Sequence, residues 1–337
     1  MADLIASPER IAAARERMAG KVHRTPMLSS STAAAFVRAQ TGVRLADDRV
    51  YLKAEHLQKT GSYKPRGMVN KVATLGLDER QRGVITISAG NAAQGYAYAG
   101  HVEGVPITVV MPLAANPAKV AACRGYGAEV ILIGSTFEES WAQMERIGAE
   151  RGLVFCHPFD DLDVIAGQAS VGLEILEDLP DVDLVIVGIG GGGLVSGVST
   201  AIRRARPSAR VVGVEPELAN GMVLALAAGH PVNIAPRSVA DGLNGPYAGE
   251  RNIAAVQAFV EQVVVIDDAT ILAGMRFALE RTKQVVEPAG AAGLGALLTG
   301  QIPIHDGERV CVILSGGNLD LTKLADYLER AAPLTAP

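Results

Sequence analysis

The chain has 337 residues, of which 49% are hydrophobic, so it is long enough to bury a large core and to form two domains. Its net charge of -5, the lack of a basic cluster and the low aromatic content of 4% argue against nucleic acid as a partner. The first residues do not resemble a signal peptide and the most apolar stretch, 184–198, is too short to span a bilayer, so we expect a cytoplasmic protein without a membrane partner.

The first fifth of the chain contains two predicted helices and a predicted strand. A helix is expected at 8–18, because Ser7 is a good N-cap and Gly20 a good stop. Pro26 favours an extended stretch before a second helix at 31–39, and the apolar segment 50–54 is predicted to be a strand. The three cysteines of the chain lie in or beside apolar segments, so we expect buried free thiols.

Lys64 lies in a constrained segment, 62–67 (SYKPRG), shortly after the predicted strand 50–54. Gly61 permits an unusual turn and Pro65 is tolerated in the first turn of a helix, so Lys64 is predicted to begin a helix that reaches about Leu75. The positive end of a helix dipole and burial both disfavour the protonated form of a lysine. They favour the neutral amine, which is the form that attacks a carbonyl carbon. On this segment alone, an exposed lysine after a turn is the alternative.

From residue 84 onwards, short apolar segments alternate with helical ones, a pattern typical of parallel β-α-β units. The predicted strands are 84–88, 107–111, 130–133, 153–156, 184–187, 211–214, 263–266 and 310–314. The predicted helices lie near 91–103, 116–126, 136–151, 163–178, 194–206, 251–261, 268–282, 289–300 and 320–331. We therefore predict an α/β fold of two doubly wound open-sheet lobes, with a ligand in the cleft at the carboxyl ends of the strands.

Polar or glycine-rich segments follow four of these strands, where such a fold binds its ligands. They are 88–91 (SAGN), 188–193 (GIGGGG), 215–216 (EP) and 315–318 (SGGN). The glycine run precedes a predicted helix, so its backbone N–H groups are suited to a phosphate. The segment 88–91 offers hydroxyl, amide and backbone donors at a helix start, which suits a carboxylate or a phenolic oxygen.

A nicotinamide cofactor is the competing interpretation of the glycine run. Three glycines match the dinucleotide fingerprint G-x-G-x-x-G, namely Gly188, Gly190 and Gly193. Glu215 then stands where a ribose-binding acid is expected. This interpretation assigns no role to Lys64 or to the segment 315–318, so we favour the phosphate site.

Taken together, the segments resemble the fold-type II pyridoxal phosphate enzymes, which are tryptophan synthase β-like, and among them the threonine/serine dehydratase and serine racemase branch. The matching segments are 24–26 (RTP), 62–67 (SYKPRG), 88–95 (SAGNAAQG), 157–161 (HPFDD), 166–168 (AGQ), 190–194 (GGGGL), 286–290 (VEPAG) and 315–318 (SGGN). The resemblance covers nearly the whole chain. It implies a large cofactor-binding domain formed by 1–75 and 157–337, with a small α/β domain, 76–156, inserted in it.

The resemblance also implies roles for single residues. Lys64 would hold pyridoxal 5'-phosphate as an internal aldimine and later act as the base at Cα, with Tyr63 packed on the ring. The phosphate would be held by Gly190, Gly191, Gly192, Gly193 and Leu194. Asn91 would meet the phenolic oxygen of the cofactor and Ser315 its ring nitrogen, with Glu287 as a further contact. The substrate contacts would be Ser88, Ala89, Gly90, Asn91, Ala92 and Asp241, of which Ser88 and Asn91 join Lys64 as catalytic residues.

The implied reaction is β-elimination of water from a 3-hydroxy amino acid such as L-threonine or L-serine, which gives a 2-oxo acid and ammonia. Serine at the ring nitrogen would make the cofactor a milder electron sink than a carboxylate would. The alternatives are a dehydratase of 3-hydroxyaspartate or of a bulkier 3-hydroxy amino acid, and a serine racemase. Two further alternatives belong to other classes, a NAD-dependent dehydrogenase and a non-catalytic binding protein.

Three positions depart from the family pattern. Racemases of this branch carry a second serine as an acid/base where this chain has Ala89, so we favour elimination. The usual histidine after the asparagine is Ala92, which opens space near the substrate carboxylate. Metal-binding members have two acids, and here Glu215 and the carbonyl of Ala219 match while Gly221 replaces the second acid, so a divalent metal at Glu215 and Ala219 is a weakly supported alternative and none is assigned.

The length of the chain and the family lead to two further expectations. The sequence ends soon after Asn318. We therefore expect an unregulated enzyme of amino-acid catabolism without an additional regulatory domain. The family also suggests a homodimer.

Overall fold

The computed structural model describes residues 2–337, which form two sheets with helices packed on both faces of each. The strands are β1 (Met27–Ser30), β2 (Val50–Lys53), β3 (Val84–Ile87), β4 (Ile107–Met111), β5 (Glu129–Leu132), β6 (Val154–Phe155), β7 (Leu184–Gly188), β8 (Arg210–Pro216), β9 (Gln262–Ile266) and β10 (Val310–Ile313). The helices are α1 (Pro8–Met18), α2 (Ser31–Thr41), α3 (Lys64–Ala73), α4 (Leu77–Arg82), α5 (Asn91–Glu103), α6 (Pro117–Gly125), α7 (Phe137–Arg151), α8 (Leu162–Asp178), α9 (Gly193–Ala205), α10 (Gly221–Ala228), α11 (Glu250–Phe259), α12 (Asp268–Phe277), α13 (Pro288–Leu298) and α14 (Leu324–Arg330). The predicted fold class, two doubly wound open-sheet lobes, is confirmed.

The larger sheet has the strand order β1-β2-β10-β7-β8-β9. All of its neighbouring strands are parallel except β1, which pairs antiparallel with β2 at one edge. β10 lies in the middle, where Val310 pairs with Val50 on one side and with Leu184 on the other. Because β2, β10 and β7 run in the same direction, the segments that follow them meet at one edge of the sheet.

The smaller sheet has the order β5-β4-β3-β6 and is parallel throughout. Its four strands all lie between residues 84 and 155, inside the segment predicted to form the small domain. The domain boundaries themselves stay a prediction. α5 begins directly after β3, so the segment 88–91 also lies at a carboxyl edge, that of the smaller sheet.

Local signals explain why most helix bounds were predictable. The Ser7 hydroxyl accepts a hydrogen bond from the N–H of Arg10 at 3.2 Å, and α1 spans the predicted residues 8–18. The Asp161 carboxylate accepts one from the N–H of Asp163 at 2.7 Å at the start of α8. β7 is buried from Leu184 to Val187, as expected for a central strand covered on both faces.

Some elements differ from the predictions. β1 was predicted only as an extended stretch, because a four-residue strand at a sheet edge shows little periodicity. α4 and α10 were not predicted. The helix expected over 268–282 ends as an α-helix at Phe277 and continues as a single π-helical turn, and the one expected over 320–331 begins only at Leu324.

The three cysteines, Cys123, Cys156 and Cys311, are buried and free, as predicted. Burial raises the pKa of each thiol to about 12, so none of them is a ready nucleophile at neutral pH. Among the helices of residues 2–337, none has the length and apolar character that crossing a bilayer requires.

A buried ionic cluster that was not predicted from the sequence anchors the start of α3. The guanidinium of Arg66 donates to Glu55 at 2.8 Å and to Glu174 at 2.7 Å, and only 1% of its side chain is exposed. Lys53, at the end of β2, donates to Glu174 at 2.7 Å. The cluster therefore joins β2, α3 and α8 two residues after Lys64, and its two cations balance its two carboxylates.

Replacing Arg66 with methionine is expected to lower the free energy of unfolding by roughly 3–5 kcal/mol, because a buried carboxylate is left without its cation. Urea unfolding measures this change. The matched control is Arg146→Met, which breaks an exposed pair with Glu150 on α7 and should cost at most about 1 kcal/mol. Equal effects of the two substitutions would contradict the assignment of Arg66 as an anchor of α3.

Candidate active site

A cavity of about 300 Å³ lies between the carboxyl edges of the two sheets. Eight of the residues predicted to act at the site line this cavity: Lys64, Ser88, Ala89, Gly90, Asn91, Ala92, Gly191 and Asp241. Other predicted residues lie directly behind its walls. Glu287 accepts a hydrogen bond from Asn91, and the carbonyl oxygen of Ser315 accepts one from the N–H of Tyr63.

Lys64 begins α3, as predicted. Its Nζ lies 5.0 Å from the centre of the Tyr63 ring, within the range of a cation–π contact. The N–H of Tyr63 donates to the carbonyl oxygen of Ser315 at 3.1 Å, which ties the lysine segment to the end of β10. On the other side α5 packs closely, because a Cβ at Gly95 would lie only 3.0 Å from the Cβ of Lys64. The lysine is thus held between the two sheets.

The glycine run forms a tight turn between β7 and α9. Gly192 has φ +100°, and a Cβ there would lie 2.6 Å from the Cβ of Asn252. The side-chain amide of Asn252 fixes the turn by donating to the carbonyl oxygen of Gly191 at 2.8 Å. Within residues 2–337, the backbone N–H groups of residues 190–194 donate to no acceptor. The turn therefore presents free donors at the positive end of a helix, which is a site for an anion.

Asn91 is the centre of a hydrogen-bond chain that crosses from the smaller to the larger sheet. Its side-chain N–H donates to Glu287 at 2.6 Å, and its side-chain oxygen accepts from Asn318 at 2.8 Å. The Asn318 amide also donates to the carbonyl oxygen of Thr60 at 2.8 Å. The segments 88–91 and 315–318, which follow strands of different sheets, are joined in this way.

Glu287 is 2% exposed, and its Oε2 has no hydrogen-bond partner in the described part of the chain. Burial raises its pKa to about 7, and the nearby charge of Asp241 acts in the same direction. The carboxyl group therefore takes up and releases a proton near neutral pH. An unpaired buried carboxyl oxygen is costly unless something else meets it, so a ligand group is expected there.

The raised pKa of Glu287 predicts a pH-dependent effect of Glu287→Gln on stability. Between the ordinary carboxyl pKa of 4.5 and the folded-state value of about 7, the folded protein holds a proton that the unfolded chain releases. The free energy of unfolding of the wild type therefore falls as the pH rises through this window, by up to about 3 kcal/mol. Glutamine does not titrate and keeps an oxygen for Asn91, so this contribution is absent from the variant.

The stability difference is measured by urea unfolding of the cofactor-free protein at pH 5 and pH 8, because a bound ligand would add its own stabilisation. We expect the free energy of unfolding of the variant to increase relative to that of the wild type as the pH rises. Burial also raises the pKa of Glu215 to about 7, but this contribution is common to both proteins and cancels. A difference that does not change with pH would contradict the assignment.

The segment 88–91 faces the cavity. The Ser88 hydroxyl accepts from the N–H of Gly90 at 3.1 Å, and a Cβ at Gly90 would meet no atom within 4 Å. α5 begins at Asn91, which also lines the cavity, so the unpaired N–H groups of its first turn make the segment suited to a second anion. Ala92 is buried and has only a methyl group where a larger side chain would narrow the cavity.

The structure does not bring Glu215 to the cavity. Its two carboxyl oxygens accept from the N–H groups of Met222 at 2.8 Å and Val223 at 3.0 Å, so it caps α10. Ala219 lies in the short turn before that helix. No group of three or more His, Cys, Asp or Glu side chains that could hold a metal is found among the described residues.

A wall of aromatic side chains, which was not predicted from the sequence, lines one side of the cavity. This aromatic wall consists of Phe137, Trp141, Phe159 and Tyr247. Phe159 follows β6 at its carboxyl end, and this position could have indicated that it faces the site. The other three come from α7 and from the loop before α11, which no local motif connects to the cavity.

An ion pair that also escaped the sequence analysis closes another side of the site. Lys119 on α6 pairs with Asp241, which lies in the loop before α11. Asn116 donates to Asp320 at 3.2 Å beside it. These contacts hold α6, which follows the smaller sheet's β4, against loops of the larger sheet.

The cavity combines an amine with two sites suited to anions. This arrangement defines a class of site that binds a phosphorylated carbonyl cofactor and a substrate with a carboxylate group. The free N–H groups of residues 190–194 and the unpaired oxygen of Glu287 fit pyridoxal phosphate. The comparisons agree. The chain matches the family described as pyridoxal-phosphate dependent enzyme over residues 19–316, and it belongs to this family.

Particular relatives within the family are similar over nearly the whole chain. The L-threonine ammonia-lyase of Thermotoga maritima is 41% identical over 323 residues, which cover 96% of this chain and 78% of that protein. The structure of maize serine racemase has a TM-score of 0.88 and 35% identity, and covers 96% of this chain and 97% of its own. The structure of processed threonine deaminase isoform 2 from Solanum lycopersicum has a TM-score of 0.86 and 30% identity, and the match covers 98% of this chain and 96% of that one.

Proposed function

We propose that the chain is a pyridoxal phosphate-dependent ammonia-lyase that removes water from a 3-hydroxy amino acid and releases a 2-oxo acid and ammonia. The observation that carries this proposal is the position of Lys64, whose amine shares one cavity with the glycine turn and the segment 88–91. The names of the relatives, L-threonine ammonia-lyase and threonine deaminase, support L-threonine as the first substrate to test.

The residues proposed to hold the cofactor surround Lys64. The N–H groups of residues 190–194 would bind the phosphate, and the Tyr63 ring would pack against the pyridine. Asn91, already oriented by Glu287 and Asn318, would meet the phenolic oxygen. The hydroxyl of Ser315 would lie at the ring nitrogen. When bound, pyridoxal phosphate supplies an electron sink for the charge that develops at Cα when its proton is removed.

The other residues bind the substrate and move its protons. The N–H groups at the start of α5 and the Ser88 hydroxyl bind the substrate carboxylate, which fixes Cα beside Lys64. The amine of Lys64 takes the proton from Cα and acts as the general base. The Cβ–O bond then breaks, and the hydroxyl leaves as water together with a proton that balances the one taken from Cα. Hydrolysis after this step returns one water and gives the 2-oxo acid and ammonia.

Ala89 supports elimination over racemisation. A racemase needs an acid/base on each face of Cα, and Lys64 serves one face. Ala89 lines the cavity in the segment 88–91, and its methyl group has no proton to exchange. The chain therefore lacks at this position the second acid/base that inversion requires.

The test is a panel of 3-hydroxy amino acids assayed for release of a 2-oxo acid, with inversion of serine followed in parallel by chiral chromatography. Turnover of L-threonine or L-serine supports the proposal. Inversion without 2-oxo acid would favour the racemase, and reduction of NAD would favour the dehydrogenase. Activity towards L-serine, a homodimeric assembly, a cytoplasmic location and a catabolic role stay predictions.

A further inference from the structure

The cavity is almost free of charge on the side away from Lys64. Among the described residues that line it, Lys64 and Asp241 are the charged ones. Apart from Asp241, the remaining walls beyond the segment 88–92 and the glycine turn are formed by apolar and aromatic side chains, by glycines and by Asn244, and the aromatic wall supplies four of these residues. The chain has one Trp, seven Tyr and six Phe in total, and four of these fourteen side chains line this one cavity.

The cavity is bordered by the aromatic wall, and further unfilled space lies near it. A second cavity of about 270 Å³ adjoins it and shares four lining residues with it: Phe137, Trp141, Pro246 and Tyr247. Its other lining residues are Glu138, Asn233 and Ile234. Unfilled space therefore borders the aromatic wall in both cavities.

The aromatic wall is held in place by its own packing. The rings of Phe137 and Trp141 lie 5.8 Å apart, and those of Phe159 and Tyr247 lie 5.4 Å apart in an edge-on arrangement. His157 joins the two pairs, with its ring 6.3 Å from that of Trp141 and its Nε2 2.9 Å from the Tyr247 hydroxyl. Such contacts stabilise a fixed surface, against which a further ring can pack.

The orientation of the substrate follows from the proposed function, on which this inference rests. If the amino group of the substrate lies at Lys64 and its carboxylate at the segment 88–91, the side chain must point towards the remaining wall. We propose that this side chain packs against the aromatic wall, and that the enzyme prefers 3-hydroxy amino acids with an apolar or aromatic side chain, such as 3-phenylserine, over threonine.

The same geometry argues against an acidic side chain. The carboxylate of 3-hydroxyaspartate would be buried against Phe137 and Trp141 without a cation, because Lys64 is engaged at Cα and Lys119 is paired with Asp241. The reaction itself is unchanged for 3-phenylserine. The Cα–H and Cβ–O bonds break, and the products are phenylpyruvate and ammonia, which together contain all atoms of the substrate.

The experiment compares kcat/KM of the holoenzyme for L-threonine, L-threo-3-phenylserine and L-threo-3-hydroxyaspartate. Burial of a phenyl group should make kcat/KM for phenylserine about 10-fold or more higher than for threonine, mainly through KM. The value for hydroxyaspartate should be about 100-fold or more lower than for threonine. If threonine is turned over and phenylserine is not preferred, this inference is wrong and the proposed function stands. If none of the three is turned over, the proposed function fails.

Two variants of Trp141 test whether the side chain of the substrate packs against the aromatic wall. Trp141→Ala should raise KM for phenylserine about 10-fold more than it raises KM for threonine, because a phenyl group buries far more area against the wall than a methyl group does. Trp141→Phe keeps a ring and should retain most of the preference, which controls for damage to the fold. If the wall only lines an entry route, both variants will change the two substrates equally, and the inference is overturned. Inhibition by L-phenylalanine and L-alanine, which lack the leaving hydroxyl, gives a second readout with the same expected preference.

Discussion

Replacing Lys64 with alanine should lower kcat/KM for 2-oxo acid release by at least about 10³-fold. Two contributions of the lysine are lost at once, its covalent hold on the cofactor and its role as the base at Cα. Cavity residues on the opposite side, such as Ser88 and Asn91, offer no basic nitrogen that could replace it. The variant should still fold, because the ion pairs that anchor α3 are made by Arg66 and not by Lys64.

The matched control is Lys59→Ala, five residues earlier in the same segment and absent from the lining of the cavity. It should keep kcat/KM within about 2-fold of the wild type. Added methylamine, a small primary amine, should restore part of the activity of Lys64→Ala and none to a protein that has merely lost its fold. Near-normal activity of Lys64→Ala without any added amine would contradict the assigned role.

The second large effect is expected at the glycine turn. In Gly192→Ala the new Cβ would lie 2.6 Å from the Cβ of Asn252 and 2.8 Å from the Cε of Met222, at a backbone φ of +100° that alanine rarely adopts. The turn must move, and the free N–H groups of residues 190–194 move with it. The loss of one or two charge-assisted hydrogen bonds to the phosphate, about 1.5–3 kcal/mol each, should raise the Kd for pyridoxal phosphate by about 100-fold.

Equilibrium dialysis of the cofactor against the cofactor-free protein measures this Kd. Gly125→Ala is the control, since a Cβ at the end of α6 would meet no atom within 4 Å and its φ is not positive. That substitution should leave the Kd unchanged and keep or slightly raise stability. An unchanged Kd for Gly192→Ala would show that the phosphate is not bound at this turn.

The elements of the fold were predictable where their signals are local. β7 and β10 are buried apolar runs in the middle of a parallel sheet, so four or five consecutive residues identify each of them. α1 and α8 are each preceded by a capping side chain that accepts a hydrogen bond from an N–H group two or three residues later. The segments at the ends of β2, β7 and β10 could be assigned to one edge, because neighbouring parallel strands of a sheet end at the same edge.

The features that escaped prediction depend on residues far apart in the chain. Arg66 meets Glu174, which is 108 positions away. The aromatic wall combines α7 with Tyr247, roughly a hundred residues further on. No spacing rule connects such positions, so a single sequence shows which residue types are available but not that they meet.

The most direct test of the account is to reduce the purified holoenzyme with borohydride, digest it and identify the peptide that carries the cofactor. Reduction fixes pyridoxal phosphate permanently on the amine to which it is attached. We predict a single labelled peptide, with the added mass on Lys64. A label on any other lysine, or a protein that binds the cofactor and gives no labelled peptide, would contradict the central claim.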